Sequence, residues 1–290
     1  MVVTTGGVRF DGQAPGTPED AWARTGLPVE APALDLTGIR RLLVVSAHPD
    51  DETLGAAGLL ARLHAAGATV RVLVASDGEA SHPRSPTTPP AVLGRRRRHE
   101  MTAATGHLAP GGRIDWLGLP DGRLARHEAE LAAAVGRAVD GIIGGTVGGS
   151  VGGSVGGSVR GSVGGTVDRG PGTLVVSPWH ADGHPDHEAV ARAVAAGIAG
   201  SRTPSIHLEF PVWAWLWAGP DDPRLRPGGL RVLRLTAGEQ RAKARAIAEH
   251  RSQIAPLGSG PGDEAVLTPD FLAHFRRSWE IYLPAGGAAA

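Results

Sequence analysis

The sequence predicts an α/β domain of the Rossmann-like, three-layer α/β/α kind, with a mainly parallel sheet. Three observations predict it. Short continuous apolar runs recur along the chain, as strands buried on both faces require. Helical patterns alternate with those runs, the order that builds a parallel sheet covered on both sides. A chain of 290 residues, 41% of them hydrophobic, is long enough to bury a sizeable core.

Taken in order, residues 1–37 read as a leader with one short helix. Thr17-Pro18-Glu19-Asp20 offers an N-cap followed by Pro at the first helical position. The domain proper spans 38–285. Leu42-Leu43-Val44-Val45 is the first buried strand. A helix follows over Glu52–Ala66 and stops at Gly67. Val70–Val74 is the second strand, and residues 78–94, rich in Pro, Ser, Thr and Gly, are loop. Arg95–Leu108 is a helix, Ile114–Leu117 a third strand ended by Gly118 and Pro120, and Glu128–Val139 an Ala-rich helix. A Gly-Gly-Ser-Val unit then repeats between Thr146 and Val167. Two glycines per unit disfavour helix by about 1 kcal/mol each relative to Ala. The stretch 144–170 is therefore read as a flexible insertion without function, and its deletion is expected to leave turnover intact. Thr173–Val176 is the fourth strand and His187–Ile198 the next helix. Residues 206–217 and 230–235 read as two more strands, with Trp213, Trp215 and Trp217 alternating on one face of the first. That row is assigned to packing in preference to stacking on sugar rings. Ala237–His250 is a helix, and a last helix is expected from Pro269.

Composition excludes several functions. The 29 basic and 29 acidic side chains leave no formal charge, whereas a protein that neutralises many phosphates carries a basic surplus. Without cysteine there are no disulfides, thiolate metal sites or cysteine nucleophiles. No apolar run approaches the roughly 20 residues that cross a bilayer. The first fifteen residues lack the basic and apolar regions of a signal peptide. A cytoplasmic protein is expected, bound to neither nucleic acid nor membrane, with a homo-oligomer left open. The basic residues are 28 Arg and one Lys, Lys243, a skew read as GC-rich coding.

In open sheets of this type ligands sit beyond the carboxyl ends of the strands. Two such ends are dense in metal-ligand and acid–base chemistry: Ala47-His48-Pro49-Asp50-Asp51-Glu52 after the first strand, and His180-Ala181-Asp182-Gly183-His184-Pro185-Asp186-His187 after the fourth. Catalytic zinc keeps three protein ligands and one open position, and two histidines with one carboxylate satisfy it. The same donors suit ferrous iron or another divalent ion. His48 and Asp51, three apart across a turn, can converge on one ion with His187 from the neighbouring strand end. Asp50 then points elsewhere, placed as a general base beside metal-bound water. His184 is left to donate a proton or stabilise an oxyanion, with Asp186 to orient it. One cluster alone is explained by helix-dipole pairing or a surface loop; two on adjoining strand ends are not.

These paired motifs resemble the PIG-L/LmbE-like deacetylases, over about Arg40–Val194. The resemblance implies a zinc-dependent N-deacetylase or amidase acting on a sugar-containing small molecule such as an N-acetylglucosaminyl conjugate. It implies His48, Asp51 and His187 as ligands, Asp50 as base and His184 as acid or oxyanion donor. Arg97, in an Arg-x-x-Glu helix, and Asp121, in Leu-Gly-Leu-Pro-Asp-Gly, resemble the family's substrate contacts. One departure is Asp182, which stands where some sugar deacetylases carry a tyrosine and is assigned to substrate contact; the only tyrosine is Tyr282. Asp77-Gly78-Glu79 reads as a turn, and His250-Arg251-Ser252-Gln253 resembles a family segment without assigned chemistry. Two rivals are weighed. A nucleotide-binding protein would open a G-x-G-x-x-G turn after the first strand, and this chain opens His-Pro-Asp-Asp-Glu. A non-catalytic glycan- or metabolite-binding relative would have no use for an unligated carboxylate at Asp50.

Overall fold

The computed structural model describes residues 2–5, 8–11, 16–142 and 172–287; the expected insertion at 144–170 lies outside them. An antiparallel hairpin, β1 (Val2–Thr5) and β2 (Val8–Asp11), stands apart from the main sheet and was not expected. Two short helices follow, α1 (Glu19–Ala23) and α2 (Leu27–Glu30). The domain continues as β3 (Arg41–Ser46), α3 (Asp51–Ala65), β4 (Thr69–Ser76), α4 (Pro90–Leu108), β5 (Arg113–Leu119) and α5 (Glu128–Gly141). It resumes with β6 (Thr173–Pro178), α6 (Pro185–Ala199), β7 (Ile206–Phe210), α7 (Ala214–Trp217), β8 (Arg231–Arg234) and α8 (Ala237–Glu249). The last elements are α9 (Arg251–Ile254), α10 (Pro269–Ala273) and β9 (Trp279–Pro284).

The seven-stranded sheet runs β5-β4-β3-β6-β7-β9-β8. The strands β3 to β7 are parallel, and β9 is antiparallel to both β7 and β8. Successive residues of β3 face opposite cores. Leu42 and Val44 join Val72, Val176 and the α3 residues Leu59 and Leu60. Leu43 and Val45 join Val175 and the α5 and α6 residues Val135 and Val194. This two-sided burial explains the unbroken apolar runs. From β3 the chain proceeds to β4 and β5, then returns to β6 on the other side of β3. The loops after β3 and β6 therefore adjoin where the order of strands reverses, the place in such sheets where ligands bind. No helix among the described residues is long and apolar enough to cross a membrane.

Several expectations fail for identifiable reasons. α4 starts at Pro90, within the expected loop, because Pro89 is extended and Pro90 fits the first helical turn. The strand expected over 206–217 ends at Phe210. Pro211 has no N–H for the ladder, and the N–H groups of Val212, Trp213 and Ala214 donate to the buried Asp182 carboxylate. The chain turns into α7, so the three tryptophans do not form a row. Trp215 is buried edge-on against Trp22, Trp217 stacks on Trp179 with its Nε1 donating to Asp182 O, and Trp213 faces a cavity. The last helix stops at Ala273, and Trp279–Pro284 supplies an unexpected strand between β7 and β8. In the leader, Thr17 does not cap α1; its Oγ1 donates to Ala218 O. Trp22 is fully buried and its Nε1 donates to Trp215 O, seating this segment on the core.

Candidate metal centre and active site

The turn after β3 folds around Asp51. Its Oδ2 accepts the N–H groups of Ala47 and His48, each at 2.9 Å, which leaves Oδ1 facing His187 Nε2 at 3.1 Å. Asp50 has φ 129°, the one positive φ at a non-glycine position among the described residues. Such backbone is strained and persists where surrounding contacts hold it. Arg97 supplies them from α4: Nη2 donates to Pro49 O at 2.7 Å and to Asp50 Oδ2 at 3.1 Å, and Nη1 donates to Gly78 O at 2.8 Å. Gly78 lets the guanidinium approach, since a Cβ there would lie 2.1 Å from Arg97 Nη1.

Each histidine of the centre has a carboxylate behind it. His187 Nδ1 donates to Asp182 Oδ2 at 2.7 Å. His48 Nε2 lies 3.1 Å from Asp121 Oδ1 and 3.4 Å from Asp186 Oδ2. These contacts put the ring protons on the outer nitrogens, as in metal sites where a second carboxylate fixes the ligand tautomer. The inner nitrogens, His187 Nε2 and His48 Nδ1, face Asp51 at 3.1 and 3.7 Å. His48, Asp51 and His187 each offer a donor atom, all within 4.8 Å of one another. His187 Nε2 is buried and makes no hydrogen bond, a costly state for a polar atom unless another partner takes its lone pair. Two imidazoles and a carboxylate fit a divalent cation with a position left for solvent. His48, Asp121 and Asp186 form a second convergent group. Its carboxylates are already engaged by the N–H groups of Ala80, Gly122 and Leu124.

Burial and charge set the protonation states. Burial, opposed by Arg97 and reinforced by the Asp51 charge, raises Asp50 to about 7. Burial works against the charge of Asp51, yet the two histidines beside it hold it well below the usual carboxylate range. Burial would lower His187, but the Asp51 charge and the Asp182 bond outweigh it and raise the ring to about 9, so a second proton and a cation compete for the Nε2 lone pair that faces Asp51. His184 is pushed well below its ordinary value by burial and by the neighbouring His187 and His48. Its Nδ1 accepts the Asp186 N–H at 3.2 Å, so the neutral ring carries its proton on Nε2.

These groups open onto a cavity of about 610 Å³. Its lining combines polar groups, among them His48, Asp50, Arg97, Asp121 and His184, with apolar ones, among them Leu54, Val212, Trp213, Val266 and Leu267. Asp121 and Arg97 line this space while also contacting His48 and Asp50. Asp182 does not reach it: its carboxylate is fully buried behind His187. Asp186 touches His184 through its backbone N–H, and its carboxylate turns to His48 and the 122–124 backbone. Sequence reasoning overlooked His82 and Arg84, cavity-lining residues hidden in a stretch of loop composition, and left Gln253, which also lines it, without a role.

The chain matches the PIG-L family (GlcNAc-PI de-N-acetylase) over residues 43–198, more than half of its length. The chain belongs to the PIG-L family. The matched span carries both motif loops. A 1D-myo-inositol 2-acetamido-2-deoxy-α-D-glucopyranoside deacetylase of Rhodococcus opacus is 30% identical over 208 residues, 69% of this chain and 68% of that protein. The enzyme of the same name from Kineococcus radiotolerans is 33% identical over 184 residues, 60% of this chain and 51% of that protein. A conserved protein from Thermus thermophilus, TT1542, has the same fold, with a TM-score of 0.53 at 22% identity, covering 86% of this chain and 96% of its own. Residues 199–287 of this PIG-L chain, beyond the family match, add β7, β8 and β9 and, apart from Leu54, the apolar residues named in the cavity lining.

Proposed function

We propose that the chain is a zinc-dependent N-deacetylase that removes the acetyl group from the nitrogen of an N-acetylglucosaminyl small molecule. The observation that carries this is the convergence of His48 Nδ1, Asp51 Oδ1 and His187 Nε2 beside an unligated Asp50 carboxylate. The acetamido-sugar glycoside named for the relatives supports the substrate class, and the cavity is of a size that takes a small molecule. His48, Asp51 and His187 would hold a zinc ion, which would supply Lewis-acid polarisation of the amide carbonyl and a water acidic near neutral pH. Asp50 accepts the proton of the attacking water. Its raised affinity for a proton suits that task. His184, neutral with its proton on Nε2, donates a hydrogen bond to the carbonyl oxygen as negative charge develops there. The amide C–N bond then breaks, acetate is released, and the amine departs with the proton taken from water. Asp121 and Arg97 keep His48 and Asp50 oriented while presenting polar atoms to sugar hydroxyls.

The test is acetate release from a panel of N-acetylglucosaminides, with elemental analysis of the same preparation. Asp50→Asn should retain the metal and lose about 10²- to 10⁴-fold in turnover. His187→Ala should lose the metal. Full turnover in the first variant, or full metal occupancy in the second, refutes the corresponding role.

A further inference from the structure

The only lysine of the chain is buried in an ion pair. Lys243, on α8, has a side chain 4% exposed, in a protein that otherwise uses arginine for every basic position. Its Nζ donates to Leu54 O at 2.7 Å and to Glu280 Oε1 at 2.8 Å. Glu280, on β9, also accepts from Gly58 N at 2.8 Å, Leu59 N at 3.2 Å and Tyr282 Oη at 2.9 Å.

The place where this pair enters α3 is informative. In a continuous α-helix the N–H of residue 58 donates to the carbonyl of residue 54. Here Leu54 O is taken by the ammonium and Gly58 N by the carboxylate, so the ion pair is inserted into that link. Between them Ala56 has φ −138° and ψ 15°, outside the helical region. Side chains inserted into the hydrogen-bond ladder are a recognised cause of helix bends. Glycine leaves room beside the insertion: a Cβ at Gly58 would fall 2.2 Å from Leu235 Cδ2 and 3.1 Å from Glu280 Oε2, so both side chains would have to shift. A compact ammonium with rotatable donors fits between a carbonyl and a carboxylate where a planar guanidinium does not. The turn of α3 before the bend begins at Asp51.

We propose that Lys243 and Glu280 are positioning residues: their buried pair sets the bend of α3 and so the angle at which its first turn presents Asp51 to the two histidines. This rests on the reading of His48, Asp51 and His187 as the metal centre. The pair touches none of these groups. It acts through the Leu54–Gly58 backbone, and it accounts for a buried charge pair that the chemistry itself does not use.

The test compares wild type, Lys243→Met, the uncharged double variant Lys243→Met/Glu280→Gln, and Val135→Ala as a control in the core on the opposite face of the sheet from α3. Zinc affinity is read by chelator competition, and amide exchange at Gly58 and Leu59 is read in metal-free protein. The expected result is about tenfold weaker zinc binding in both pair variants, with faster exchange at the two amides. The control should lower the melting temperature with zinc affinity unchanged. If Lys243→Met alone does not fold, the double variant, which leaves no unpaired buried charge, decides. Wild-type zinc affinity in the pair variants overturns this inference alone, as does an equal loss in the control. Wild-type protein that takes up no zinc overturns the reading of the centre, and this inference with it.

Discussion

At the scale of single residues, the centre is governed by which atom each side chain leaves free. Asp51 spends one oxygen on two backbone N–H groups and keeps the other for His187 Nε2. Asp182 serves two masters at once. It fixes the His187 tautomer, and it holds the N–H groups of Val212, Trp213 and Ala214 at the start of α7. Asparagine has one acceptor where aspartate has two, so Asp182→Asn cannot satisfy all four donors. The expected outcome is a 10- to 100-fold loss of metal affinity with a lowered melting temperature, checked by chelator titration and thermal unfolding. An unchanged affinity would assign Asp182 to α7 alone.

At the scale of elements, α3 is pressed so closely on the sheet that a Cβ at Gly55 would lie 2.0 Å from Phe210 Cδ2, at the end of β7. Gly55→Ala must displace α3 or Phe210, an overpacking expected to cost about 1–3 kcal/mol. Calorimetric melting checks the stability, and turnover should fall with it because α3 carries Asp51. The parallel strands and their helices were legible because burial on both faces writes itself as Leu42–Val45 and Thr173–Val176. The motif loops were legible because charged residues stand directly after those runs. Other features were not. The Trp213, Trp215 and Trp217 alternation mimics a strand; Pro211 interrupts it, and the distant Asp182 carboxylate turns the chain into α7. Trp279–Pro284 pairs antiparallel with strands far from it in sequence, so no local turn announces it. The work of Asp182 and Lys243 depends on partners 5 to 189 residues away; residue type alone suggested a substrate contact for one and a coding bias for the other.

At the scale of the whole molecule, His207 and His250, outside the metal centre, are also folded in as neutral rings. Burial, with His180 nearby, lowers His207 to about 4, and burial, with Arg97 adding to it, lowers His250 to about 3. The unfolded chain binds protons at these rings from about pH 6.5 downward, and the folded chain does not. Their contribution to stability is therefore complete above pH 6.5 and is lost as pH falls towards 4 and 3. The melting temperature should fall over that window. His207→Gln, which keeps a polar partner for Ser177 Oγ, should fall less steeply; an identical slope would show that other groups control acid unfolding.

The left-handed backbone at Asp50 has a consequence for drift over generations. Glycine adopts such dihedrals freely, so Asp50→Gly should yield a chain that melts higher yet releases acetate about 10²- to 10⁴-fold more slowly. Neutral change would run downhill towards that nearly inactive protein, and only a demand for the carboxylate itself holds the lineage back.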